Sequence, residues 1–141
     1  MKVLFACTAN ACRSQMAEAW ARALFPADWT VSSCGLIPHT VSRRARWVME
    51  EAGVPMDGQE SKTFAAVDLE AFDLIVTLSE EAGRFLPLPA DAPQHVRLPI
   101  TDPMEADGTP EEIRDAFRRC RERVRAIVAD VVAGRIGSGS G

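Results

Sequence analysis

The 141-residue sequence contains no tyrosine, only two histidines and four cysteines, and no long apolar run. Because a membrane-spanning helix needs about 20 mainly apolar residues, the sequence predicts no membrane segment. The histidines stand apart and no cysteines have the Cys-x2-Cys spacing, so no metal site is expected. A formal net charge of −4 argues against general nucleic-acid binding. No signal-peptide pattern precedes the first polar residues, and we expect a cytoplasmic protein without a disulfide scaffold.

The residues that are present suffice for one folded domain. Apolar residues make up 47% of the chain, and a chain of this length can bury about two-thirds of its unfolded surface. Short apolar runs alternate with amphipathic segments, which predicts a single α/β domain with a four-stranded parallel sheet flanked by helices on both faces. We expect this domain to span residues 1–134 and residues 135–141 to form a flexible tail, typical of a Gly/Ser linker added in cloning. The predicted strands and helices, in chain order, cover residues 2–6, 16–25, 29–33, 42–52, 73–78, 80–85, 95–98 and 110–131.

A cysteine and an arginine flank a short segment directly after the first predicted strand. The sequence is Cys7-Thr-Ala-Asn-Ala-Cys-Arg13-Ser14, and a helix follows. Ligands of parallel α/β sheets bind where strands end, and the first turn of a helix presents unpaired backbone N–H groups. The five residues between Cys7 and Arg13 are enough to curl around one tetrahedral oxyanion, to which Arg13 adds a bidentate fork. The predicted oxyanion-binding residues are Thr8, Ala9, Asn10, Ala11, Cys12, Arg13 and Ser14.

The positive field of this segment favours a Cys7 thiolate, which is the nucleophilic form of cysteine. Ser14 is placed to donate a hydrogen bond to the sulfur, and Asn10 to brace the loop. The Cys-x5-Arg spacing alone is weak evidence, because a buried cysteine followed by a surface arginine gives the same pattern. Its position between a strand and a helix favours the reactive thiol.

Phosphoryl-type transfer also needs a proton donor for the leaving oxygen. Asp102-Pro103 lies in the loop that follows the fourth predicted strand, at the sheet edge shared with Cys7. An Asp-Pro pair is often only a turn. Together with the thiol segment, however, it predicts that Asp102 is a general acid.

These segments resemble the low-molecular-weight protein tyrosine phosphatase superfamily, and specifically its arsenate reductase branch. The resemblance covers residues 2 to about 132 and is carried by CTANACRSQMAEA, SCGLIPHTVSRRA, EEAGVPMDGQESK, DLIVTLS and TDPMEADGTPEEIRDAFRRCRERV. It implies a four-stranded parallel sheet flanked by helices. It also implies that Cys7 is the nucleophile, Arg13 the oxyanion clamp, Ser14 the thiolate partner and Asp102 the general acid.

Three features favour the reductase branch over the phosphatases that accept phosphotyrosine. Those phosphatases carry aromatic residues beside the Asp-Pro, whereas Met104 follows here and the chain has no tyrosine. The segment 33–45 is short where those phosphatases have a longer, aromatic-bearing loop. The stretch DPMEADGTPEE has the Gly-Thr pattern typical of arsenate reductases. A small pocket suits arsenate, which has no organic group.

The sequence differs from that branch in the thiols that complete an arsenate reduction. Thioredoxin-coupled members supply two further cysteines, at positions that correspond here to Ser79 and about Leu86. We therefore expect no bound cofactor and an external thiol, glutathione or mycothiol, recycled by a glutaredoxin- or mycoredoxin-like protein. Cys12 is either a resolving thiol or interior packing, and Cys34 is a second candidate resolving thiol. Cys120 falls on the apolar stripe of the last helix and is expected in the core.

The sequence leaves three functions open. The first is an arsenate reductase that forms a Cys7–arsenate adduct resolved by an external small thiol. The second is a low-molecular-weight phosphatase that hydrolyses phosphoesters through a Cys7 phosphocysteine. The third, and least favoured, is a non-catalytic oxyanion-binding module.

Overall fold

The computed structural model describes residues 1–89 and 94–137. Four strands form one parallel sheet in the order β2-β1-β3-β4. The described part of the chain contains no helix long and apolar enough to cross a membrane. The four parallel strands and the helices between them confirm the predicted α/β class and parallel sheet. The strands are β1 (Lys2–Cys7), β2 (Thr30–Gly35), β3 (Leu74–Thr77) and β4 (Gln94–Arg97).

Four α-helices connect or follow these strands, and short 3-10 turns join them. Side-chain caps start three of the helices: Ser42 caps α2, Ser79 caps α3 and Thr109 caps α4. Thr109 and Glu112 form a reciprocal capping box, with Pro110 in the first turn, as the sequence predicts. The helices are α1 (Arg13–Leu24), α2 (Arg43–Glu51), α3 (Glu80–Phe85) and α4 (Pro110–Val132), and the 3-10 turns are Phe64–Ala66, Leu69–Ala71 and Pro103–Glu105.

The sheet separates two hydrophobic clusters of unequal size. The larger cluster joins alternate residues of β1 and β3 to α1, α2 and α4, and we call this side the α1/α4 face. The smaller cluster joins the intervening strand residues to α3 and the 3-10 turns, and we call this side the α3 face. Because strand side chains alternate between faces, neighbouring residues at the end of one strand lie in different environments.

Helix α1 begins three residues earlier than its apolar periodicity predicts. Arg13, Ser14 and Gln15 are polar, yet all three are buried in its first turn. Their polar groups are hydrogen bonded within the fold, which a hydrophobic pattern cannot register. The prediction that α1 starts at Met16 was therefore wrong at the end that matters most for the site.

Two residues beyond the predicted domain boundary at residue 134 contact the rest of the fold. The Arg135 amide donates to Asp130 O at 2.9 Å, and Ile136 packs against the large cluster. The remainder of the predicted tail, residues 138–141, lies outside the described residues. Its flexibility stays a prediction.

Candidate active site

The segment between β1 and α1 forms a closed loop at the carboxyl edge of the sheet. Cys7 is the last residue of β1, and Arg13 the first of α1. We call residues 7–14 the oxyanion loop. It follows the inner strand β1, whose last residue, Cys7, is opposite Gly35 of β2. The position is the one expected for a ligand site in a parallel α/β sheet.

The surrounding chain binds the carbonyl groups of this loop from outside. Thr8 O accepts from the amides of Leu36 (2.8 Å) and Ile37 (3.2 Å). Ala9 O accepts from Ser61 Oγ at 3.0 Å, and Ala11 O from the Ser42 amide at 2.9 Å. Within residues 1–89 and 94–137, the amides of residues 8–12 donate to no other group of the protein. With its carbonyls directed outwards, the loop leaves N–H groups available to an anion.

A chain of hydrogen bonds leads from the Cys7 sulfur into the protein. Cys7 Sγ lies 2.9 Å from Ser14 Oγ, and Asn10 Nδ2 donates to the same oxygen at 2.7 Å. Because Ser14 Oγ accepts from Asn10, its own proton is free to point at the sulfur. A hydroxyl aimed at the sulfur stabilises a thiolate. The roles predicted for Ser14 and Asn10 thus have the required geometry.

Asn10 holds the curvature of the loop in a backbone conformation uncommon for residues other than glycine. Its φ is +50°, in the left-handed region where asparagine is tolerated better than most side chains. Its Oδ1 accepts from the Lys62 amide and Gln15 Nε2, both at 2.9 Å, and its Nδ2 also reaches Ser33 Oγ at 3.0 Å. The fully engaged amide offsets the backbone strain.

A buried polar layer behind the loop contains residues that the sequence analysis missed. Ser33 Oγ donates to the buried Glu18 carboxylate at 2.7 Å, and Arg22 pairs with the other Glu18 oxygen. Gln15 and Gln59 are bound to each other through Gln59 Nε2 and Gln15 Oε1 at 2.8 Å. The only sequence signal was polar residues on the buried side of a helix, which becomes informative only when the buried side is known.

Arg13 and Asp102 meet across the mouth of the loop. Arg13 Nη1 donates to Ile100 O at 2.9 Å, and Nη2 lies 3.5 Å from Asp102 Oδ2. Asp102 also accepts from the Met104 amide, which caps the 3-10 turn after it. The carbonyl orients the guanidinium, and the turn orients the carboxylate. The structure therefore brings together the two residues that the sequence separates by almost ninety positions.

Gly35 is a further site residue that the sequence analysis did not identify. A Cβ at this position would lie 2.7 Å from Asn10 N and 2.8 Å from Ala9 C, which are backbone atoms. Only glycine allows β2 to approach the loop this closely. The Ser-Cys-Gly sequence at the end of β2 was the available signal.

The other three cysteines differ from Cys7 in their surroundings. Cys34 lies on the α3 face, fully buried, and burial raises the pKa of its thiol to about 12. Cys12 faces the α1/α4 cluster, where contact with the Cys120 thiol, followed by burial, raises its pKa. Cys120 is buried in the core as predicted. High pKa values keep Cys12 and Cys34 protonated, which does not favour either as a resolving thiol.

The positions that correspond to the missing relay cysteines have structural roles. Ser79 caps α3 and its Oγ accepts from Thr8 Oγ1 at 3.0 Å, while Leu86 is buried at the end of α3. The single Thr8 hydroxyl proton is shared between Ser79 Oγ and Glu81 Oε2, which lies 3.2 Å away. The backbone amide of Glu81, followed by the Thr8 hydroxyl, lowers the pKa of the Glu81 carboxyl. Two hydroxyl groups and a carboxylate thus connect the start of the oxyanion loop to α3. The described part of α3 contributes no thiol.

Comparisons with known proteins agree on one family. The family model for low molecular weight phosphotyrosine protein phosphatase matches residues 2–134. An arsenate reductase of Halalkalibacterium halodurans is 37% identical over 122 residues, covering 86% of this chain and 88% of that protein. A glutaredoxin arsenate reductase of Synechocystis sp. is 32% identical over 132 residues, covering 94% and 96%. A solved arsenate reductase in the phosphate binding state is 30% identical, with a TM-score of 0.79 over 94% of this chain and 96% of that one.

Proposed function

The chain belongs to the low molecular weight phosphotyrosine protein phosphatase family, and from this premise we propose that it is an arsenate reductase that uses Cys7 as nucleophile and an external small thiol as reductant. The observation that carries the proposal is the hydrogen bond of 2.9 Å between Cys7 Sγ and Ser14 Oγ, within a loop whose carbonyls are turned outwards. Relatives named arsenate reductase, among them one that is 37% identical over 122 residues, support the choice of substrate.

The first half of the reaction is a displacement at arsenic. Arsenate binds the loop amides, and Arg13 adds a charged, bidentate contact. The Cys7 thiolate attacks arsenic, an arsenic–oxygen bond breaks, and Asp102 protonates the leaving oxygen, which departs as water. The product is a covalent sulfur–arsenic(V) adduct. Ser14 and Asn10 act on the sulfur before the attack by stabilising the thiolate.

The second half needs a thiol that comes from outside the chain. An external thiolate attacks the Cys7 sulfur, so that a sulfur–sulfur bond forms. The sulfur–arsenic bond breaks with its electron pair on arsenic, and arsenite leaves. A glutaredoxin-like protein or a second thiol then reduces the mixed disulfide and restores Cys7. The raised pKa values of Cys12 and Cys34 support an external donor, because a protonated thiol is a poor nucleophile.

Hydrolysis of phosphoesters is the second candidate. The same attack on phosphorus gives a phosphocysteine that water hydrolyses, and no reductant is needed. Ser79 and Leu86 in place of relay cysteines favour this alternative over a thioredoxin-coupled cycle. Arsenate is preferred because Met104, and no aromatic residue, follows the Asp102-Pro103 pair. A cytoplasmic location and a redox-protein partner stay predictions.

The deciding experiment measures arsenite released from arsenate by the purified protein. The reductants are thioredoxin, glutathione with glutaredoxin, and mycothiol with mycoredoxin, each with hydrolysis of p-nitrophenyl phosphate measured in parallel. We expect turnover with a small-thiol system and a loss of at least about a thousandfold in Cys7→Ser. Cys34→Ser is the matched control and should retain activity.

Two outcomes would contradict the proposal. Turnover with thioredoxin alone would mean that an internal cysteine resolves the adduct. Efficient p-nitrophenyl phosphate hydrolysis without arsenite from any donor would establish the phosphatase instead.

A further inference from the structure

The arginines of α4 fall into two groups. Arg118 and Arg121 both pair with Glu51 of α2, at 2.8 and 2.7 Å, and Arg125 lies over the Trp20 ring. In contrast, Arg119 and Arg123 form no ion pair within residues 1–89 and 94–137. They are four residues apart and therefore point from the same side of the helix. Two neighbouring guanidiniums without a carboxylate form a site of positive charge.

These two arginines line a cavity of about 690 Å³ between α4 and residues 99–106. This volume is within the usual range of small-molecule sites, about 300–1,000 Å³. Asp102 and Glu105 lie on the opposite side of the cavity, and Cys120 lies on the same helix as the two arginines. The lining thus combines two arginines with two acidic residues, of which Asp102 is already paired with Arg13.

The cavity adjoins the oxyanion loop along the segment that holds Arg13. Ile100 accepts from Arg13 through its carbonyl, and Asp102 pairs with Arg13 at 3.5 Å; both residues also line the cavity. Cys120, in the cavity wall, contacts Cys12 of the loop. A molecule bound in the cavity is therefore a neighbour of the loop that holds the Cys7 sulfur.

We propose that this cavity binds the external reductant, and that the reductant is a small peptide thiol with free carboxylates, of the glutathione type. Arg119 and Arg123 bind its carboxylates, Glu105 faces its ammonium group, and the thiol extends past Asp102 towards Cys7. This inference rests on the proposed arsenate reduction and names the thiol class that the reduction uses. The thiol bond to Cys7 forms as the sulfur–arsenic bond breaks, with the electron pair leaving on arsenic.

The charges distinguish this thiol class from the sugar thiols. A sugar thiol such as mycothiol presents hydroxyl groups and no carboxylate, so it would leave both guanidiniums without a charged partner. Glutathione has two carboxylates and one ammonium, which complement the arginines and Glu105. The selection is therefore electrostatic and should depend on ionic strength.

The test uses the full chain and the double variant Arg119→Gln/Arg123→Gln. With glutathione and glutaredoxin, we expect the KM for glutathione to rise about tenfold, because two exposed charge pairs are lost. The KM for arsenate should stay unchanged, since neither arginine touches the oxyanion loop. Arg125→Gln is the matched control on the same helix, and it should leave both KM values unchanged.

Binding without turnover separates this inference from the proposed function. S-methylglutathione cannot be oxidised to a disulfide, and its affinity can be measured by calorimetry. We expect the wild type to bind it, and the double variant or a diethyl ester of the peptide to lose about tenfold in affinity. Failure to form arsenite with any of the donors would overturn the proposed function, whereas the binding of S-methylglutathione would still test the cavity.

Three results would overturn the inference. The first is an unchanged KM for glutathione in the double variant. The second is turnover with mycothiol and not with glutathione. The third is S-methylglutathione binding that is absent, or equally strong in the double variant.

Discussion

Cys7 and Cys34 lie at the carboxyl ends of adjacent strands, yet their thiols have different surroundings. In the sheet Cys7 is opposite Gly35, so Cys34 is displaced by one residue and its side chain points to the α3 face. The Cys7 sulfur meets Ser14 and the open amides of the oxyanion loop, whereas Cys34 meets Leu4, Ala6 and Ile75. One step along a strand therefore separates a thiol beside the oxyanion loop from a thiol packed in the core.

The same alternation explains the residues beside Cys34. Ser33 and Gly35 point towards the oxyanion loop, where one supports Asn10 and the other leaves room for its backbone. Three consecutive residues of β2 thus serve two faces of the sheet. Alkylation rates, a substitution at Gly35 and the pH dependence of stability each report on this difference between the two faces.

The largest expected difference is in alkylation of the two thiols by iodoacetate. At pH 7.5 Cys7 should react at least about a hundredfold faster than Cys34, because the pKa of Cys34 is raised to about 12 and little thiolate is present. Phosphate should protect Cys7 and leave Cys34 unaffected. Peptide mass spectrometry over time measures both rates. Equal rates for the two cysteines would contradict the assignment of Cys7 as the more reactive thiol.

A methyl group at the end of β2 should disturb the oxyanion loop more than the α3 face. Gly35→Ala places a Cβ 2.7 Å from Asn10 N, so we expect about 1–3 kcal/mol of destabilisation and at least about a tenfold loss of arsenate reduction. Gly83→Ala is the control on the α3 face, where the nearest atom is a side-chain oxygen at 3.3 Å. Urea unfolding and steady-state rates measure the two effects. Full activity in Gly35→Ala would show that the loop adapts.

The third expected effect is the contribution of Cys34 to the pH dependence of stability. Burial raises its pKa from 9.0 to about 12, so the folded protein retains a proton that the unfolded chain loses. This stabilisation is complete below pH 9 and falls as pH rises towards 12, by about 1.4 kcal/mol per pH unit. Between pH 9 and 11, the unfolding free energy should fall less steeply in Cys34→Ala than in the wild type. Parallel curves from urea unfolding would contradict the assignment.

The α/β class, the parallel sheet and the loop that groups Cys7, Arg13 and Ser14 could be predicted from local patterns. Strand and helix periodicity, a Thr-Pro-Glu-Glu helix start and a loop between strand and helix are all short-range signals. The predicted start of helix α1 was three residues too late, because its first residues are buried and hydrogen bonded but are not apolar.

Local patterns also do not predict the surroundings of residues on the surface of helices. A tryptophan at helical spacing, such as Trp47, is usually a core residue, but Trp47 is 44% exposed. The guanidinium carbons of Arg114 and Arg118 lie 4.9 and 5.3 Å from the centroid of its ring. Cation–π contact stabilises an exposed tryptophan, and helical spacing alone does not distinguish this from burial. The arginine-rich stretch of α4 likewise predicts a solvated face, and only the fold separates arginines paired with Glu51 from those lining a cavity.

By itself, the sequence determined which chemistry the loop between β1 and α1 can perform, because a thiol, an arginine and a helix start are neighbours along the chain. Only the tertiary structure decided what supports that loop. Ser33, Gly35 and Asp102 come from distant segments, and their contacts with Asn10 and Arg13 depend on strand register and on which face each side chain occupies. Register and facing are properties of paired strands, so a single segment does not carry them.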